Sequence, residues 1–169
     1  MISSPECFDP IAHHAKKYKD QPVTLLSLEE YARQLGKIEA SIKEVILKAH
    51  EESQRESNTI YPIDGVIICG SWALGKVHDR SDLDLLYLTR NYCPAYSNPD
   101  FPKKLQRNGL DMEIHELGYV LLLDPRDTMR SAVNRTFLTE DSRIVTPFPE
   151  IEANSRELIM KWRTRPKWN

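Results

Sequence analysis

The chain has few cysteines: Cys7, Cys69 and Cys93 in 169 residues. They are widely spaced, odd in number and form no Cys-x-x-Cys pair, which does not suit a disulfide framework. They read as reduced thiols, and the expected setting is cytoplasmic. No run approaches the roughly 18–20 apolar residues that a membrane helix needs, and no signal-peptide apolar segment opens the chain. Membrane attachment and secretion are therefore not expected. Charge of one sign is also lacking. Lys and Arg total 23, Asp and Glu total 25, and the formal net charge is -2. A balance of this kind argues against bulk electrostatic binding of nucleic acid. No repeat period stands out, which sets aside solenoids and collagen-like chains.

What is present is an ordinary globular composition, 40% hydrophobic and 28% charged. A chain of about 150 residues buries roughly 68–70% of its unfolded surface, so a core without staples is expected. The sequence divides into an arm over residues 1–26, a single domain over 27–163 and a basic tail over 164–169. The arm is interrupted by Pro5, Pro10 and Pro22, with room for a short helix near Ile11–Tyr18. His13 and His14 are adjacent and so do not face one way, which argues against a metal pair there.

Ser27 and Glu30 form a capping-box pattern at the start of a long helix. Leu28, Tyr31, Leu35, Ile38, Ile42, Val45 and Ala49 fall on one face of it, at steps of three and four. That stripe reads as a core face rather than a partner surface, and the polar stretch Glu51–Asn58 ends the helix. Gly65–Gly70 is a short apolar run rich in β-branched residues, hence a buried strand. Ser71–Gly75 turns into a short helix, and Asp82–Leu88 reads as a second strand. Pro94, Pro99 and Pro102 predict a loop over residues 91–103. Leu110–His115 alternates with period two and predicts a third strand. Asp124-Pro125 opens a helix, Thr136–Leu138 and Arg143–Val145 form a hairpin, and a last helix runs from Glu150 to Arg163. The tail Lys161-Trp162-Arg163-Thr164-Arg165 onward mixes cations and aromatics. It reads as a solvated helix end, with only a weak hint of nucleotide or RNA contact.

Asp82 and Asp84 are two apart on a strand and so share a face. Paired carboxylates repel unless a cation sits between them, which points to a divalent metal. Asp111 and Glu113 share a face of the third strand, and either supplies a third acid. Gly70 and Ser71 follow a strand and open a helical turn. Glycine lets a phosphate approach the backbone, and the serine hydroxyl adds a hydrogen bond. No Gly-x-Ser-x-Gly elbow surrounds Ser71, so it is not read as a nucleophile. His115 reads as a surface residue or one with its hydrogen bonds satisfied, and Cys69 as a small core residue.

Gly70-Ser71, ten residues, then Asp82-Leu83-Asp84 resembles the signature of the DNA polymerase beta-like nucleotidyltransferase superfamily. Gly70-Ser71-Trp72-Ala73-Leu74-Gly75 with Ser81-Asp82-Leu83-Asp84-Leu85 is similar to its minimal members. The resemblance covers residues 66–88 well and 110–116 loosely. It implies an α/β (α+β) fold, a nucleotidyltransferase-type mixed sheet flanked by helices, here with a long N-terminal helix. It implies Mg²⁺ or Mn²⁺ held by Asp82, Asp84 and a third acid, in a two-metal arrangement. Glu113 is the favoured third acid and Asp111 the alternative. Asp82, Asp84 and Glu113 are then the catalytic residues. The implied reaction moves a nucleoside monophosphate from a nucleoside triphosphate, with ATP the expected donor, to a hydroxyl on a small molecule, a protein or an RNA. Where minimal members often carry arginines, this chain has Trp72 and Leu74. Gly70, Ser71, Lys76 and Arg80 are the expected nucleotide contacts, with His78 a further source of positive charge in the same loop. The competing readings are a non-catalytic nucleotide-binding or interaction module on the same fold, an antitoxin that adenylylates a partner toxin, and a regulatory protein acting through the long helix.

Overall fold

The computed structural model describes residues 23–55, 62–90, 100–121 and 141–164. The expected arm helix, the loop residues 91–99, the Asp124-Pro125 helix start, Thr136–Leu138 and residues 165–169 lie outside them. The elements, in chain order, are α1 (Leu28–Arg55), β1 (Gly65–Cys69), α2 (Gly70–Leu74), β2 (Leu83–Thr89), α3 (Phe101–Arg107), β3 (Ile114–Leu121), β4 (Arg143–Val145) and α4 (Pro149–Thr164). The strands form one mixed sheet in the order β3-β2-β1-β4. β1 runs antiparallel to β2 and to β4, and β2 runs parallel to β3. The architecture is mixed α/β with a long N-terminal helix.

Helix α1 starts where the sequence places it. The Glu30 backbone N–H donates to Ser27 Oγ at 3.1 Å, which satisfies one orphan donor of the first turn. The reciprocal half of the capping box does not form. The Glu30 carboxylate turns forward and accepts from Arg33 and Gln34. Leu35, Ile38, Ile42, Val45 and Ala49 of the stripe are buried, together with Ile46 beside it, while Tyr31 is half-buried and Leu28 at the helix start is exposed. The stripe is a core face.

Alternation along the strands builds two layers. Val66, Ile68, Leu83, Leu85 and Tyr87 point to the side covered by α1 and α3. Ile67, Cys69, Leu86 and Leu88 point to the other side and meet Ile151 and Ile159 of α4. Tyr87 packs edge-on against Phe101 and against Tyr119, each with ring centroids 5.3 Å apart. No helix among the described residues is long and apolar enough to cross a membrane.

Two expectations about local structure fail. Phe101–Arg107 is helical although three prolines suggested a loop to residue 103. Pro102 sits in the first turn of α3, where its missing N–H has no helical partner to lose. The third strand begins at Ile114 rather than Leu110. The apolar side of the segment is the expected one: Leu110 is buried, and Met112 and Ile114 pack on the same core. The ladder starts late because its partner does, with Leu83 of β2 paired to Ile114. Before that point the chain is held by α3. Leu110 N–H donates to the Leu105 carbonyl, and the Gln106 side chain donates to the Met112 carbonyl.

At the N-terminal end of β1 lies an ion pair, buried on the Asp64 side and half-exposed on the Arg90 side, that the sequence reading did not pick out. Arg90 Nε and Nη2 donate to Asp64 Oδ1 at 3.0 and 2.8 Å, and the Arg90 backbone N–H donates to Oδ2 at 2.6 Å. His50 of α1 stands 3.4 Å from the same carboxylate. Thr146 Oγ1 donates to the Asp64 carbonyl at 2.6 Å. This cluster ties α1, β1, β2 and the end of β4 together.

Candidate metal centre

Asp82 immediately precedes β2 and Asp84 is its second residue, so the two carboxylates leave the same side of the sheet. Strand β3 lies beside β2 and pairs His115 with Asp84. His115 Nδ1 is 3.0 Å from Asp82 Oδ2 and 3.5 Å from Asp84 Oδ1. The three residues offer ligand atoms within 4.8 Å of one another, and all three are partly buried. A cluster of two carboxylates and one imidazole nitrogen at that separation has the donor set for a divalent cation.

Glu113 lies one residue before β3. Its carbonyl accepts from the Leu83 N–H at 2.8 Å, which fixes its backbone against β2. Its carboxylate is exposed, with Oε1 2.9 Å from His115 Nε2. Glu113 therefore reaches the cluster through His115. Asp111 is exposed and lines a groove of about 180 Å³ with Arg33, Gln34 and Lys37 of α1. The two acids expected to compete for the third position thus have separate surroundings. His115, read from sequence as a surface or satisfied residue, stands between the aspartates. The signal for it was the spacing: residue 115 is two beyond Glu113 and so on its face. Sequence alone did not give the parallel register that sets it opposite Asp84.

The His115 imidazole is raised above its ordinary pKa. The hydrogen bond to Glu113 contributes most, burial works against it, and the charges of Asp82, Glu113 and Asp84 add to it. The surrounding carboxylates thus favour the charged ring over the neutral one.

Gly70 forms the floor beneath Asp84. Its φ is +64°, in the left-handed region, and a Cβ there would run into Asp84 Oδ2. Only glycine accepts both the backbone angle and the carboxylate. Next to it, Ser71 is buried and its hydroxyl has no hydrogen-bond partner among the described residues. Cys69, on the other flank of Gly70, is fully buried. Burial, then the Asp84 charge, pushes its thiol up to about 12, so it is a core residue as expected.

Trp72 explains itself through packing. It is buried, stacks on Tyr31 of α1 with centroids 5.9 Å apart, and its carbonyl accepts from Tyr31 Oη. Lys76 and Arg80 are exposed in the loop that leads to Asp82. That loop is strapped by the segment before α1. Leu26 N–H donates to the Val77 carbonyl, Asp79 N–H to the Thr24 carbonyl, and Thr24 N–H to Asp79 Oδ1. His78 is not a source of positive charge. It is buried, its Nδ1 accepts from the Arg80 N–H at 3.0 Å, and burial lowers its pKa, which disfavours the charged ring.

Comparison with family models, with curated proteins and with solved structures finds no match to this chain.

Proposed function

We propose that the protein is a divalent-metal-dependent nucleotidyltransferase, transferring a nucleoside monophosphate from a nucleoside triphosphate to a hydroxyl acceptor. The observation that carries this reading is the meeting of Asp82, Asp84 and His115 at one end of the β2–β3 pair, with the Asp84 carboxylate against Gly70. Asp82 and Asp84 are the residues that would hold the ion, Mg²⁺ or Mn²⁺. When bound, such an ion neutralises phosphate charge and lowers the pKa of a coordinated hydroxyl.

The chain's own residues supply the rest. Gly70 leaves the backbone bare beside Asp84, and the buried Ser71 hydroxyl next to it has no hydrogen-bond partner among the described residues. Lys76 and Arg80, exposed on the adjoining loop, supply positive charge toward a triphosphate. In the reaction the acceptor oxygen forms a bond to the α-phosphorus. The bond from that phosphorus to the bridging oxygen breaks, pyrophosphate leaves, and the acceptor proton passes to solvent. ATP is the expected donor. A small molecule, a protein or an RNA each offers a suitable hydroxyl.

The reading as a non-catalytic module drew on Trp72 and Leu74 standing where cations were expected. The stacking of Trp72 on Tyr31 gives the tryptophan a packing role, so positive charge toward a phosphate rests on Lys76 and Arg80. The test is transfer of label from α-labelled nucleoside triphosphates to a panel of hydroxyl acceptors with Mg²⁺ or Mn²⁺. Wild-type transfer that falls more than about 100-fold in Asp82→Asn and Asp84→Asn supports the enzyme, since loss of a ligand exceeds the roughly 10–100-fold cost of losing an outer partner. Nucleotide binding with no transfer to any acceptor supports the binding module.

A further inference from the structure

We propose that the metal ligands are Asp82, Asp84 and His115, that Glu113 orients His115 from outside the ligand set, and that this mixed site prefers Mn²⁺ over Mg²⁺. The inference rests on reading the cluster as a metal centre and names its ion and ligand set.

Three observations carry it. First, the two ring nitrogens of His115 face opposite partners. Nδ1 lies between Asp82 and Asp84, and Nε2 lies 2.9 Å from Glu113. A metal-bound histidine almost always donates its other N–H to a carboxylate, a carbonyl or water, which fixes its tautomer and ring angle. Glu113, His115 and the two aspartates have that linear order. Second, the order is built into backbone rather than loops. His115 is in register with Asp84 on a parallel ladder, and the Glu113 carbonyl is bonded to the Leu83 N–H. Third, exposure increases outward. Side-chain exposure is 13% for Asp82, 19% for Asp84, 38% for His115 and 63% for Glu113. The glutamate is the group in water, where an outer partner belongs.

Ion choice follows from ligand chemistry. Mg²⁺ favours oxygen donors, keeps several waters and demands strict octahedral geometry. An imidazole suits Zn²⁺, Cu²⁺, Fe²⁺ and Ni²⁺ most; Mn²⁺ shares the carboxylate preference of Mg²⁺ but, as a first-row transition ion, accepts a nitrogen ligand beside carboxylates more readily than Mg²⁺ does. Replacing the expected third carboxylate by a histidine therefore shifts the site toward Mn²⁺.

The experiment is Mn²⁺ binding to the full chain, read by pulsed EPR and by competition with Mg²⁺. Nitrogen hyperfine coupling to bound Mn²⁺ is expected in the wild type and absent in His115→Gln. The preference for Mn²⁺ over Mg²⁺ is expected to drop at least tenfold in that variant. Glu113→Gln is expected to keep the nitrogen coupling and to weaken Mn²⁺ binding by about 10–100-fold. Wild-type Mn²⁺ bound without nitrogen coupling overturns the proposal, and this result needs no variant to fold. Failure of Mn²⁺ to bind overturns it as well. Nitrogen coupling without nucleotidyl transfer would keep this ligand set and reject the transferase reading. Mg²⁺-driven transfer without nitrogen coupling would do the reverse.

Discussion

Asp84 and His115 face each other across a parallel pair of strands, with His115 Nδ1 3.5 Å from Asp84 Oδ1. Neighbouring parallel strands hold such a pair at fixed height, so the cluster is positioned by the ladder and not by side-chain reach alone. Gly70 supports the same carboxylate from below. The candidate centre is thus held from two sides, by β3 and by the β1–α2 turn.

The support from Gly70 separates cleanly from its backbone angle. Gly70 and Gly75 both have left-handed φ, +64° and +71°. A Cβ at Gly70 collides with Asp84, whereas one at Gly75 meets only the Tyr31 ring at 3.9 Å. Each alanine substitution should cost about 1–2 kcal/mol in denaturant unfolding, from the left-handed angle. Only Gly70→Ala should also weaken Mn²⁺ binding, by tenfold or more. Equal metal affinity in the two variants would remove Gly70 from the site.

Metal binding should also appear as stability. An ion at 100 times its dissociation constant stabilises the folded chain by about 2.7 kcal/mol, which for this size raises the melting temperature by about 5–10 °C. The shift should vanish in Asp84→Asn and Asp82→Asn. A thermal melt with and without Mn²⁺ checks it, and an undiminished shift in either variant would place the ion elsewhere.

At the other end of β1, Asp64 makes a prediction about pH. Burial works to raise its pKa, but hydrogen bonds from His50 and Arg90 and the Arg90 charge outweigh it, so the carboxyl titrates below its ordinary value of 3.8. A depressed folded pKa means the stabilisation is present above the ordinary value and is lost as pH falls through the folded one. Asp64→Asn should cost about 3 kcal/mol at neutral pH, the low end for breaking a buried pair, because Arg90 keeps access to water and to Glu150. The difference from wild type should shrink as pH falls below 3.8. Urea unfolding at neutral and acid pH measures it, and a gap independent of pH would contradict the assignment.

Trp72 tests whether the position serves phosphate or packing. Its burial and its stack on Tyr31 predict that Trp72→Ala costs about 3–5 kcal/mol. Trp72→Arg should destabilise the fold further, since it puts an unpaired cation into the core. Urea unfolding decides. A stable arginine variant with tighter nucleotide binding would show instead that the side chain can serve the site.

Much of this was legible in the sequence because it depends on local pattern. The 3.6-residue stripe of α1, the apolar run of β1 and the Asp82–Asp84 spacing each report one element's own periodicity. Gly70 was legible for the same reason, as glycine between a strand and a turn. What escaped depends on partners distant in sequence. His115 reads as a surface or satisfied residue, and only parallel pairing shows that Asp84 lies opposite it and that the Glu113 carboxylate lies against its other ring nitrogen. Asp64 and Arg90 are 26 residues apart and gave no pattern. Pro102 misled because proline breaks a helix inside but suits its first turn. Trp72 looked like a departure at the site because sequence could not show Tyr31 stacked upon it.

The most direct test of the central claim compares two labels on the same nucleoside triphosphate, one at the α-phosphate and one at the γ-phosphate, with Mn²⁺ and a hydroxyl acceptor. The account predicts that the α-label becomes attached to the acceptor and the γ-label appears in free pyrophosphate, both dependent on Asp82 and Asp84. Transfer of the γ-label to the acceptor, or release of phosphate with neither label attached, would contradict it.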